Sequence, residues 1–125
     1  MEKTVLLIDD DIEDHELFIS LLKEYDPAFK VISAMNGKQG MELIERKKPG
    51  IVFLDINMPG MNGMEVLRKI KSKDSLKDIP VCMYSTSDGF NSKPAAMKLG
   101  AIKYFSKPNS PKGFVKVFND VFGVA

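Results

Sequence analysis

Short apolar runs alternate with stretches of helical period along the whole chain. Five runs read as strands: residues 4–8 (TVLLI), 30–34 (KVISA), 51–55 (IVFLD), 81–85 (VCMYS) and 102–106 (IKYFS). The first, third and fourth are almost continuously apolar, as expected of strands buried under helices on both faces. Between them the period lengthens. Residues 12–25 follow Asp11, a good N-cap, and carry Leu17, Phe18, Leu21, Leu22 and Tyr25. Residues 37–46 carry Met41, Leu43 and Ile44 and run into Lys47-Lys48-Pro49-Gly50, basic residues and then a breaker. Residues 63–72 set Gly63, Val66, Leu67 and Ile70 on one face. A weaker helix spans 93–99. The last begins at Ser110-Pro111, a cap followed by proline at the first helical position, and aligns Phe114, Val117, Phe118 and Val121.

Strand and helix alternating five times predict an α/β fold, a parallel sheet with right-handed crossovers and helices on both faces. A length of 125 residues suits one domain over 1–125, with no output domain visible. Composition adds exclusions. With 18 Lys plus Arg against 17 Asp plus Glu, bulk charge points to neither nucleic acid nor membrane. The lysines of the C-terminal third are spread out, without the patch that nucleic-acid binding requires. Cys82 is the single cysteine, so an internal disulfide and a cysteine-based zinc site are excluded; it reads as a small buried hydrophobe. No aliphatic run approaches the ~18 residues needed to span a bilayer, and no signal-peptide core follows Met1. The expected location is the cytoplasm.

Ligands of open parallel sheets bind outside the carboxyl ends of the strands. The first strand ends at Asp9-Asp10-Asp11, the third at Asp55 before Ile56-Asn57-Met58-Pro59-Gly60, the fourth at Ser85-Thr86-Ser87, and the fifth at Ser106-Lys107-Pro108. Carboxylates, a hydroxyl and an ammonium therefore converge on one edge. Two carboxylates about 4 Å apart repel by about 4 kcal/mol at an effective dielectric near 20. One lysine cannot neutralise three acids, whereas a divalent cation can. Hard oxygen donors fit Mg2+, and the single histidine, His15, argues against a transition-metal site. Each piece alone has an ordinary explanation: a helix cap, a turn, a local hydroxyl bond, a surface lysine. Four such groups on four strand ends are harder to explain that way. His15, on the first helix, is expected to be solvated.

Over essentially its whole length the chain resembles the receiver domain of two-component response regulators. The matching segments are VLLIDDD at 5–11, IVFLDINMPGMNGME at 51–65, VCMYSTS at 81–87 and KYFSKP at 103–108. The resemblance implies a flavodoxin-like, doubly wound five-stranded sheet of order 2-1-3-4-5 with five helices. It implies Asp55 as phosphoacceptor, taking a phosphoryl group from a kinase phosphohistidine. Asp9, Asp10, Asp55 and the backbone carbonyl of Asn57 would hold Mg2+. Lys107 and Ser85 would contact phosphoryl oxygens, and Tyr104 would follow the movement of Ser85. The Lys107-Pro108 bond would be cis. The face formed by the fourth helix, fifth strand and fifth helix would then be read by a protein partner. The implied partners are a sensor histidine kinase or histidine phosphotransfer protein, a downstream protein, and at most a weak homodimer.

Two departures from the family pattern stand out. Pro94 falls where the fourth helix usually runs, so a short helix starting near Lys93 is expected, after an extended loop over 88–92. Ser87 supplies no carboxylate or carboxamide to orient water. In the family that position and Asn57 influence how water reaches the phosphoryl group, so slower self-hydrolysis is expected than in a receiver with an acid or amide there. Three other readings compete. A phosphatase of the haloacid dehalogenase type needs a general acid at the position of Asn57, which cannot serve. A flavin phosphate would be repelled by Asp9-Asp10-Asp11. An interaction module that keeps the fold without phosphorylation remains as the alternative.

Overall fold

The computed structural model describes residues 3–86 and 92–123. Its elements run β1 (Thr4–Ile8), α1 (Ile12–Tyr25), β2 (Lys30–Ala34), α2 (Gly37–Lys47), β3 (Ile51–Asp55), α3 (Gly63–Ser72), β4 (Val81–Ser85), α4 (Lys93–Leu99), β5 (Lys103–Ser106) and α5 (Pro111–Phe122). The strands form one parallel sheet of order β2-β1-β3-β4-β5, the doubly wound topology expected. Every residue of β1, β3 and β4 is buried, while the edge strands β2 and β5 are partly exposed. The fifth strand starts at Lys103, one residue later than its apolar run suggests; Ile102 is an exposed residue ahead of it.

Side chains alternate across a strand, and here the alternation divides two cores. Leu6, Ile8, Val52, Leu54, Val81 and Met83 meet α2, α3 and α4 through Ile44, Val66, Leu67, Ile70 and Ala96. Val5, Leu7, Phe53, Cys82 and Tyr84 face the other way, onto α1 and α5. There Phe18 packs edge-on to Phe53 at 5.0 Å and to Phe118 at 5.4 Å. Leu17 lies outside this stripe and is exposed.

Two glycines serve the geometry. A Cβ on Gly63 would stand 2.2 Å from the carbonyl oxygen of Asp55, so α3 can start against the end of β3 only with hydrogen there. Gly100 closes α4 at φ +112°, a left-handed cap. The short fourth helix begins at Lys93 with Pro94 in its first turn, as expected, because the first-turn N–H needs no intrahelical partner. The loop expected over 88–92 lies outside the described residues except for Ser92, which occupies the N-cap position of α4 without a side-chain capping bond.

Candidate functional site

The carboxyl ends of β1, β3, β4 and β5 bring Asp9, Asp55, Ser85 and Lys107 together. Asp9, Asp55 and Ser85 are buried and Asp10 is exposed. Strand alternation continued past the last rung puts Asp9, Asp55 and Lys107 on the α1/α5 side. Lys107 is fixed by its backbone N–H, which donates to the carbonyl of Ser85 at 2.7 Å. Its ammonium lies 3.0 Å from Asp9 Oδ2, 2.7 Å from Asp14 Oδ2 and 3.3 Å from Asp55 Oδ2. Asp55 Oδ1 accepts the N–H of Asn57 at 3.1 Å. Across the gap, Asn57 Nδ2 donates to Ser85 Oγ at 2.8 Å.

Asp9 is held from four directions. Its Oδ1 accepts the N–H of Asp11 at 2.9 Å, and Oδ2 accepts the hydroxyl of Tyr84 at 2.6 Å as well as the lysine. Its own N–H donates to Ala34, and its carbonyl lies 2.7 Å from His15 Nε2. A carbonyl only accepts, so Nε2 carries the proton.

Electrostatics follow from burial. Burial pushes the Asp55 carboxyl up to about 6, with Asp9 adding to the rise, while Lys107 and the Asn57 N–H oppose it. For Lys107 burial disfavours the charge. Bonds to Asp14 and Asp9 and the nearby carboxylate charges outweigh it, so the ammonium stays above the usual lysine value. The Tyr84 hydroxyl is driven up by burial and by its neighbour Asp9, and stays protonated.

The family model described as response regulator receiver domain matches residues 5–119. The chain belongs to that family. Protein PilH of Pseudomonas aeruginosa is 30% identical over 117 residues, covering 94% of this chain and 95% of PilH. The nitrate/nitrite response regulator protein NarL of Escherichia coli is 37% identical over 120 residues, 93% of this chain and 53% of NarL. Among solved structures, the Mn2+-bound form of response regulator Rcp1 superposes with a TM-score of 0.84 at 28% identity, covering 95% of this chain and 91% of that one. The chain spans about half the length of the first curated relatives it matches, 48% and 53%. Receiver domains are the signalling modules of two-component systems, working with histidine kinases or phosphotransfer proteins and with downstream effectors.

As a receiver, the chain has an acidic group that could hold a metal ion. Asp9, Asp10 and Asp55 each offer a carboxylate oxygen, all within 4.8 Å of one another. Three hard donors facing a single ammonium suit a divalent cation. Among the described residues, no helix is long and apolar enough to cross a membrane.

Two expectations need correcting. His15 is buried, 2% exposed, and bonded to the backbone of Asp9; its Nδ1 has no hydrogen-bond partner among the described residues. The spacing held the signal, because His15, Phe18 and Leu22 stand at i, i+3 and i+7 and form the buried stripe of α1. The Lys107-Pro108 bond is trans, as no described peptide bond is cis. Lys107 reaches inward without it, guided by its backbone bond to Ser85 and drawn by three carboxylates. Ser87 lies outside the described residues. Tyr104 is half-buried on β5, beside Met83 in register and packed against the α2/α3/α4 core. Sequence reasoning missed Asp14, in the first turn of α1, and Tyr84, whose phenol reaches past the end of β3 to Asp9.

Proposed function

We propose that this receiver takes a phosphoryl group on Asp55 and relays it as a change of surface. The observation that carries this is the buried carboxyl of Asp55, 3.3 Å from the partly buried ammonium of Lys107 and grouped with two further acids. At neutral pH Asp55 is mostly carboxylate and can act as nucleophile. One of its oxygens attacks the phosphorus of a phosphohistidine. The O–P bond forms and the N–P bond breaks. The imidazole leaves with the electron pair and takes up a proton, so no further reactant is needed.

Asp9, Asp10 and Asp55, with the backbone carbonyl of Asn57, would hold Mg2+. When bound, that ion offsets the excess carboxylate charge and the charge of the phosphoryl oxygens. The Mn2+-bound state of Rcp1 supports a divalent cation here. Lys107 would turn from Asp55 to a phosphoryl oxygen. Ser85 would exchange its bond from Asn57 for another phosphoryl oxygen, drawing the end of β4 inward. Tyr104, two strand positions back from Ser106, would fill the space released. A groove of about 640 Å3 lined by Tyr104, Phe105, Lys116, Val117 and Asp120 lies on the β5/α5 side and would change with it. A downstream protein with different affinity for the two shapes reads the state. Asn57 and Ser87 would set how long the phosphoryl group lasts. The domain is a signalling element that assists its own phosphorylation and dephosphorylation, not an enzyme acting on separate substrates.

Intact mass after incubation with acetyl phosphate and Mg2+ tests this. Wild type should gain one phosphoryl mass, dependent on Mg2+ and absent from Asp55→Ala. An adduct that persists in Asp55→Ala would overturn it.

A further inference from the structure

Tyr84 stands out from the site residues that the function above uses. It sits on β4 directly before Ser85, and its phenol is 5% exposed among Phe18, Phe53, Phe105 and Phe114. It pairs in register with Asp55, yet its hydroxyl passes the end of β3 and donates to Oδ2 of Asp9, the residue after β1, at 2.6 Å. The ammonium of Lys107 lies 5.0 Å from its ring centroid, within the range of a cation–π contact. The same Oδ2 is 3.0 Å from that ammonium. Asp9 Oδ2 therefore has two holders, one mobile and one fixed. A lysine swings on four carbons, whereas a phenol buried in the apolar cluster under α1 and α5 does not.

We propose that Tyr84 is a positioning residue for the cation site, its hydroxyl tethering Asp9 so that the carboxylate keeps its orientation when Lys107 leaves it. This rests on the reading of Asp9 as a cation ligand given above. Without the hydroxyl, Lys107 is the remaining side-chain partner of Oδ2 among the described residues. Asp9 is then drawn towards the lysine, and the ammonium competes with the cation for the same oxygen. Hydrogen bonds behind a metal-binding carboxylate commonly change affinity by about 10–100-fold when removed.

The experiment compares wild type and Tyr84→Phe in thermal melts over a MgCl2 titration. The Mg2+ dependence of Tm gives the affinity, since a ligand that binds only the folded state stabilises it by mass action. The metal-free Tm reports packing separately. The expected result is a Mg2+ midpoint raised about tenfold or more in Tyr84→Phe. A midpoint within about twofold of wild type overturns the proposal. A second measurement needs no variant: wild type carrying 13Cζ-tyrosine is titrated with MgCl2 and followed by NMR. The Tyr84 resonance should move with the midpoint of the Tm curve. Tyr25, whose hydroxyl bonds Asn119 on α5, should not move. A Tyr84 resonance that ignores Mg2+ overturns the proposal even where the variant fails to fold. If wild type shows no Mg2+ response by either method, the reading of the site as a cation centre falls first, and this inference with it.

Discussion

Replacing Asp55 with asparagine should stabilise the metal-free protein, although it removes the residue on which the proposed function rests. The carboxyl is pushed from 3.8 to about 6 on folding, chiefly by burial. Below about pH 4 both folded and unfolded chains hold this proton, and the charge plays no part. Between about 4 and 6 the unfolded chain releases it while the folded chain keeps it, so wild type loses stability as pH rises. Above 6 the loss is complete. A shift of about two units corresponds to about 3 kcal/mol at 1.36 kcal/mol per unit. Asparagine resembles the neutral carboxyl in shape and avoids that cost. Lys107 contributes nothing to the trend, because a raised lysine pKa gives stability that is constant below its unfolded value of 10.5. For a domain of this size about 1 kcal/mol is worth about 3–5 °C in Tm. Melting curves in a chelator should show Asp55→Asn about 9–15 °C above wild type at pH 7.5, with the gap closing to about 2 °C at pH 4. Added Mg2+ should raise wild type more than the variant. A gap independent of pH, or a variant that melts below wild type at pH 7.5, would refute the assignment of the cost to buried charge.

Further outcomes follow from the same geometry. Lys107→Ala leaves buried Asp9 and Asp55 without their cation and should cost about 3–5 kcal/mol in urea denaturation at pH 8, and less at pH 5, where protons can replace it. Asp14→Asn removes the shortest contact to Lys107 from a partly exposed position. It should speed labelling by acetyl phosphate a few-fold, since the lysine is freer to meet the phosphoryl group; an unchanged or slower rate would count against that. Gly63→Ala forces a methyl against the Asp55 carbonyl and should cost about 1–3 kcal/mol, read as a lower Tm.

Much of this architecture is legible in the chain. Continuous apolar runs marked β1, β3 and β4, because parallel strands buried on both faces have no polar side to display. Pro94 marked the start of α4, since proline fits only the first turn. The convergence of Asp9, Asp55, Ser85 and Lys107 followed from parallel topology alone, which sends every strand end to one edge. What escaped was the wiring between them. Asn57 bonds Ser85 across 28 positions, and Tyr84 bonds Asp9 across 75. Such bonds depend on how far a side chain reaches past a neighbouring strand, which no local period encodes. His15, expected to be solvated, lies inside because its spacing to Phe18 and Leu22 puts it on the buried stripe of α1.

The proposed function requires that Asp55, and no other acid of the cluster, takes the phosphoryl group. The most direct measurement is to label the protein with acetyl phosphate and Mg2+, reduce with borohydride and sequence the peptides by mass spectrometry. An aspartyl phosphate becomes homoserine under that treatment. Homoserine at position 55 alone is the predicted result. Homoserine at 9 or 10, or a labelled protein with aspartate intact at 55, would contradict it.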